Sequence, residues 1–125
     1  MNKTILITDD DLDIREYLVE MLTLEGFTVI EAENGLEALQ VIEKEHIDLV
    51  ITDIFMKGMN GLELEFKLRR EYPQIKIIGM TGGSKTPRVS NEVYKMSIKR
   101  FKSFLKKPFT REEMLEEINI LLSDS

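Results

Sequence analysis

Five short apolar runs, separated by segments long enough for a helix, fix what this 125-residue chain can build. The runs are Thr4-Ile5-Leu6-Ile7-Thr8, Phe27-Thr28-Val29-Ile30, Asp48-Leu49-Val50-Ile51-Thr52, Ile75-Lys76-Ile77-Ile78-Gly79-Met80 and the stretch from Phe101 to Lys106. Three are rich in Ile and Val. A strand with one wet face alternates apolar and polar residues, whereas a near-continuous apolar run belongs to a strand covered on both faces, as in the centre of a parallel sheet.

The separating segments carry helical spacing. Ile14, Leu18, Met21 and Leu22 recur on one helical face, as do Met114, Ile118, Leu121 and Leu122. Thr110 and Glu113 form a capping-box pattern ahead of the second group. Asn34-Gly35 precedes a helix from Leu36 to about Glu45, with Leu39 and Ile42 inward, and Pro87 suits the first turn of another that turns Val89, Val93 and Met96 inward.

Leu62, Leu64, Phe66 and Leu68 alternate with charged residues, which by period alone reads as a half-exposed strand. Glu, Leu, Lys and Arg are nevertheless good helix formers, and parallel strands need a crossover of a dozen or more residues, so a helix is expected there. Five strands alternating with five helices predict a doubly wound α/β fold, a five-stranded parallel sheet with helices on both faces, as one domain over residues 1–125.

No cysteine is present, which excludes disulfides and thiolate metal sites and points to a reducing compartment, the cytoplasm by default. The opening residues are far too short an apolar stretch for a signal-peptide core or a membrane span, so no membrane is expected. Charge is uneven within the net of −6: Lys85 to Lys107 holds eight Lys or Arg against the single acid Glu92, while the remaining residues hold 9 basic and 22 acidic side chains. A basic segment on an acidic body is a candidate partner surface.

In doubly wound sheets ligands sit at the carboxyl ends of the strands. Those positions carry Asp9-Asp10-Asp11, Asp53, Thr81 and Lys107-Pro108, while strand two offers only Glu31-Ala32-Glu33. Two carboxylates at about 4 Å repel by on the order of 4 kcal/mol at an effective dielectric near 20, so a cation should hold them together. A hard divalent ion with oxygen ligands fits, and Mg²⁺ is favoured because it binds through one or two carboxylates and completes its shell with waters and phosphate oxygens. Phosphoryl transfer needs an in-line nucleophile, a metal and fixed donors. Asp53 would be the nucleophile, Thr81 a hydroxyl donor and Lys107 a cationic clamp.

The series Ile5-Leu6-Ile7-Thr8-Asp9-Asp10-Asp11, then Asp48 to Asp53 followed by Met56 and Gly61, then Met80-Thr81-Gly82, then Lys106-Lys107-Pro108-Phe109, resembles the receiver domain of bacterial two-component response regulators, of the chemotaxis type, over essentially the whole chain. The resemblance implies the flavodoxin-like strand order 2-1-3-4-5. It also implies that Asp53 is the phosphoacceptor, that Asp9 and Asp10 bind the metal with the backbone carbonyl of Phe55, and that Thr81 and Lys107 contact the phosphoryl group. Phe104 matches the switch aromatic of the fifth strand, and Asp11 reads as a helix N-terminal acid. A sensor histidine kinase or a phosphotransfer protein would be the donor, and a downstream target protein the reader. The domain would catalyse its own modification without being a turnover enzyme.

Several positions depart from the family pattern. Lys57 stands where proline is common, Arg100-Phe101 replaces a small pair and should add bulk and charge near the output face, and Phe104 lacks a tyrosine hydroxyl. Phe55 and Gly83 cannot orient a water, which predicts slow loss of the phosphoryl group. His46 reads as a surface residue at a helix end. Alternatives remain open: the receiver part of a longer DNA-binding regulator or of a hybrid kinase, direct nucleic-acid binding by the basic segment, which the acidic body disfavours, or a phosphatase or flavin protein on the same fold.

Overall fold

The computed structural model describes residues 2–56, 59–82 and 91–123. Strands and helices alternate without exception: β1 (Thr4–Thr8), α1 (Leu12–Leu24), β2 (Thr28–Ala32), α2 (Gly35–Lys44), β3 (Leu49–Asp53), α3 (Gly61–Glu71), β4 (Lys76–Thr81), α4 (Asn91–Lys99), β5 (Phe104–Lys106) and α5 (Arg111–Ser123). The sheet runs β2-β1-β3-β4-β5, and every pairing is parallel.

The consecutive apolar residues of β1 and β3 are explained by two cores, one on each face of the sheet. Successive side chains of a strand point to opposite sides. Ile5, Ile7, Leu49 and Ile51 therefore meet Leu18, Met21 and Leu22 of α1 and Met114 and Ile118 of α5. Leu6 and Val50 face the other way, onto Ala38 and Ile42 of α2 and Leu64 and Leu68 of α3.

The alternating segment is helix α3. Asn60 accepts from the Glu63 amide at 2.9 Å while the Glu63 carboxylate accepts from the Asn60 amide, a complete capping box that outweighs the period-two pattern. Of its four apolar residues only Leu64 and Leu68, one turn apart, are fully buried, and Phe66 is exposed. The expected box at α5 also forms, with Thr110 Oγ1 accepting from the Glu113 amide at 3.0 Å and Glu113 Oε1 accepting from the Thr110 amide at 2.8 Å.

The fold corrects three expectations. First, β2 extends through Glu31 and Ala32, so Glu31 lies within the strand. Second, β5 begins at Phe104: the Phe101 amide closes α4 on the Ile98 carbonyl at 3.0 Å, and the Gly79 amide donates to the Ser103 carbonyl at 3.0 Å only after the chain has turned. The Phe101 ring is buried, packed with Ile54 and Phe55, so its bulk adds nothing to the surface. A Cβ at Gly79 would come within 2.7 Å of that ring, and the large residue fills the space the small one leaves. Third, Met96 points outward at 68% exposed, because α4 turns Ser97 to the interior instead. Lys57, Gly83, Pro87 and Val89, and the side chain of Val93, lie outside the described residues.

Candidate functional site

The carboxyl ends of β1, β3, β4 and β5 meet at one edge of the sheet. Parallel register sets the heights: Thr8 pairs with Thr52, Asp53 with Met80, and Thr81 with Lys106. Asp9, one residue beyond β1, thus arrives beside Asp53, and Lys107, one residue beyond β5, arrives on the same side.

Asp9 is fully buried and both its carboxylate oxygens are engaged. Oδ1 accepts from the Asp11 amide at 2.9 Å, and Oδ2 accepts from Lys107 Nζ at 2.9 Å. Asp11 is the N-cap of α1, accepting from the Asp13 amide at 3.0 Å, which agrees with its expected role. Asp10 is half-buried on the rim. Asp53 is buried, and Lys107 Nζ lies 3.5 Å from its Oδ2. Gly61 makes this approach feasible: a Cβ there would overlap the Asp53 carbonyl oxygen and lie 2.7 Å from Ile54 Cα, so only glycine lets α3 start against the backbone of the acid.

Carboxylate oxygens of Asp9, Asp10 and Asp53 lie within 4.8 Å of one another. Among the described residues, three acids against the ammonium of Lys107 leave a net negative cluster of hard oxygen donors, which fits a divalent cation of the Mg²⁺ or Ca²⁺ kind. The electrostatics agree. Burial, reinforced by Asp9 and Asp10 and opposed by Lys107, pushes the Asp53 carboxyl up to about 7. Burial also holds Asp9 above its ordinary range despite the Asp11 amide and Lys107. At Lys107 burial favours the neutral amine, yet the Asp53 and Asp9 carboxylates outweigh it and raise the ammonium above its usual value.

Of the remaining predicted residues, Thr81 lies at the same edge of the sheet, while Phe104 and His46 lie on the surface. Thr81 is buried at the end of β4, and its carbonyl accepts from the Lys107 amide at 2.7 Å, so the two residues share a backbone bond. Phe55 is buried in the cluster with Ile54 and Phe101. Phe104, paired with Gly79 on the edge strand, is 43% exposed and faces outward. His46 is a surface residue, its ring 3.1 Å from Asp48 Oδ1.

Sequence reasoning missed Arg15. Its guanidinium is buried, donates from Nη1 to the Asp9 carbonyl at 2.6 Å, and donates from Nε to Glu31 Oε1 at 3.2 Å. It ties the loop after β1 to the end of β2. The signal was available, since Arg15 falls on the face of Leu18 and Leu22, where a cation interrupts an apolar stripe. Glu31, dismissed as part of a strand end without a role, is the partner that makes the burial tolerable.

Comparison with known proteins agrees with this geometry. A family model, described as the response regulator receiver domain, matches residues 5–119. The response regulator receiver protein CpdR of Brucella abortus is 32% identical over 120 residues, covering 96% of this chain and 97% of the relative. The transcriptional regulatory protein GlrR of Escherichia coli K12 is 31% identical over 121 residues, but those span 97% of this chain and only 26% of the relative. Among solved structures, the response regulator TrrA of Thermotoga maritima, in complex with Mg²⁺-BeF, superposes with a TM-score of 0.80 at 36% identity, covering 95% of this chain and 98% of that one.

Proposed function

The chain belongs to the response regulator receiver domain family, and on that premise we propose that Asp53 accepts a phosphoryl group and that the resulting charge resets a partner-binding face. The observation that carries this reading is the ammonium of Lys107, shared at 2.9 Å by Asp9 and 3.5 Å by Asp53. A structural ion pair would need one carboxylate. A second one, buried beside it at the end of the neighbouring strand, is what a nucleophile and its metal-binding companion require.

The donor is a phosphohistidine on a sensor histidine kinase or phosphotransfer protein, or a small acyl phosphate. A carboxylate oxygen of Asp53 forms the new O–P bond as the donor's N–P bond (phosphohistidine) or O–P bond (acyl phosphate) breaks, and the departing imidazole or carboxylate keeps the electron pair. Asp9, Asp10, Asp53 and the Phe55 carbonyl would hold Mg²⁺, which supplies neutralisation of the phosphoryl oxygens when bound. Lys107 already stands at the acceptor, so it needs only to pass from the carboxylate to the phosphoryl oxygens. Thr81 offers the hydroxyl donor on the other side.

Roughly −1.5 to −2 charges are added at Asp53 by this step. Lys107 and Thr81 are linked through their backbones, so drawing them inward shifts the ends of β4 and β5 together. Phe104, exposed in this structure, lies on that edge and would turn inward, altering the face that a downstream protein reads. Phe55, two residues after Asp53, gives water no side-chain partner, which favours a long-lived phosphoryl group.

A second reading concerns what surrounds the domain. The chain spans about a quarter of GlrR but nearly all of CpdR, so both an output domain beyond it and a stand-alone regulator have a precedent. Among the described residues no helix is long and apolar enough to cross a membrane.

Mass spectrometry of the protein treated with an acyl phosphate and Mg²⁺ tests the proposal. One added phosphoryl group, absent from Asp53→Asn, is expected. Modification that persists in that variant, or none in the unaltered chain with either acyl phosphate or a phosphohistidine donor, overturns it.

A further inference from the structure

A cavity of about 250 Å³ opens at the other end of β4 from the site just described, between α3, the first residues of β4 and the turn after α4. Its mouth begins at Lys76, and β4 ends at Thr81, so the two places are roughly 16 Å apart along the strand. Phosphoryl chemistry at Asp53 makes no use of it.

Glu65 lines this cavity and is 5% exposed. The α3 capping box fixes the helix phase so that Glu65 shares the inward face with Gly61, Leu64 and Leu68. One carboxylate oxygen, Oε2, lies 3.4 Å from Arg69 Nε, while the other, Oε1, has no hydrogen-bond partner among the described residues. A buried carboxylate oxygen without a donor is costly and requires an explanation. A ligand that donates an N–H or O–H to Oε1 supplies one.

Four cations border the same cavity: Arg69, Lys76, Arg100 and Lys102. Against one carboxylate they disfavour a cationic ligand and favour an anion. Arg100 is held at the mouth by the Phe66 ring, its guanidinium carbon 5.9 Å from the centroid, with Arg70 stacked on the same ring at 5.5 Å. Ile77, Phe101 and Leu121 contribute apolar lining to the same cavity. A ligand with a hydrogen-bond donor, an apolar body and an anionic group matches this lining. The volume lies just below the roughly 300 to 1,000 Å³ of sites for drug-sized ligands, which suits one nucleotide and not two.

We propose that this cavity binds a purine mononucleotide, with a base N–H on Glu65 Oε1, the ring along Ile77 and Leu121, and the phosphate among Arg100, Lys102 and Lys76. The site is separate from Asp53, so its failure leaves the phosphoacceptor reading untouched.

Amide NMR of the ¹⁵N-labelled full chain, titrated with adenosine and guanosine 5′-monophosphates, tests it. Saturable shifts are expected near residues 65, 69, 76, 77 and 100–102, with half-saturation below about 1 mM for one of the two. Glu65→Gln and Arg100→Ala should each weaken binding about tenfold, with the latter more salt-sensitive in its effect, while Asp53→Asn binds as the unaltered protein does. Inorganic phosphate producing the same shifts at the same concentration would show a basic rim alone and overturn the proposal. So would the absence of saturable shifts with both nucleotides, or undiminished binding by Glu65→Gln. Should that variant fail to fold, the exposed Arg100→Ala and Lys102→Ala decide: unchanged binding in both sinks the site.

Discussion

Lys107 Nζ sits between two buried carboxylates, 2.9 Å from Asp9 Oδ2 and 3.5 Å from Asp53 Oδ2, joining the ends of β1, β3 and β5 through one ammonium. Replacing it by methionine leaves two buried carboxyl groups facing each other without their cation. Loss of one partner of a buried pair costs about 3 kcal/mol. Urea unfolding of Lys107→Met in EDTA should show that loss, and Mg²⁺ should recover part of it by taking the place of the ammonium. Equal stability of the two proteins in EDTA would mean that the ammonium is not needed to hold the acids.

The pH dependence has a defined sign. Burial raises the Asp53 carboxyl to about 7, against 3.8 in the unfolded chain, and Asp9 moves the same way. Between those values the folded protein holds protons that the unfolded chain releases, so this contribution is complete below about pH 4 and is lost as pH rises through about 7. In divalent-free buffer the difference in stability between the unaltered chain and Asp53→Asn should shift steadily in favour of the variant from pH 5 to pH 8. A difference that is flat across this window would contradict the raised carboxyl.

Arg15 donates to the Asp9 carbonyl at 2.6 Å, and under the proposed function it would position Asp9 as a ligand of Mg²⁺. Partners of this outer kind are worth roughly 10- to 100-fold in metal affinity. Arg15→Ala should therefore weaken Mg²⁺ binding, measured by calorimetry, by at least about tenfold. Arg15→Lys should recover little, because an ammonium cannot reach both the carbonyl and Glu31 with the guanidinium fork.

Gly79 and Phe101 form a small-large pair whose volumes are matched. Gly79→Ala should destabilise by about 1 to 3 kcal/mol through overpacking against the ring and Ile54. Phe101→Ala should cost about 3 to 5 kcal/mol by leaving a cavity. The double variant should cost less than the sum, since the new methyl then has room. Strict additivity in chemical denaturation would show that the two do not share one space.

Phe55→Asn should shorten the lifetime of the phosphoryl group by placing a water-orienting amide beside Asp53. Release of inorganic phosphate from the purified phosphoprotein measures it. The Phe55 ring is also part of the Ile54 and Phe101 cluster, so the variant should be less stable as well. Faster hydrolysis at unchanged fold content supports the shielding role, and an unchanged lifetime refutes it.

The sequence by itself determined the order of the elements and which residues gather at the carboxyl edge of the sheet. Consecutive apolar residues at 5–7 and 49–51 demand cover on two faces, and parallel pairing places Asp9, Asp53, Thr81 and Lys107 at one edge, because every strand then ends on the same side. Capping residues located α5, since such bonds are local and a few residues suffice to encode them, while helix-forming residues and the length of the crossover located α3. Tertiary structure alone decided what depended on which face an element turns inward. Met96 and Ser97 differ by one position, about 100° around a helix, and only packing against the sheet chooses between them. Phe101 looked like surface bulk until Gly79, 22 residues earlier, was seen to leave it a space. Arg15, Glu31 and the Asp9 carbonyl come from three different segments. Their bond network exists only once the β1–β2 register has brought those segments together, because the energy of a buried charge depends on neighbours that the chain order does not specify.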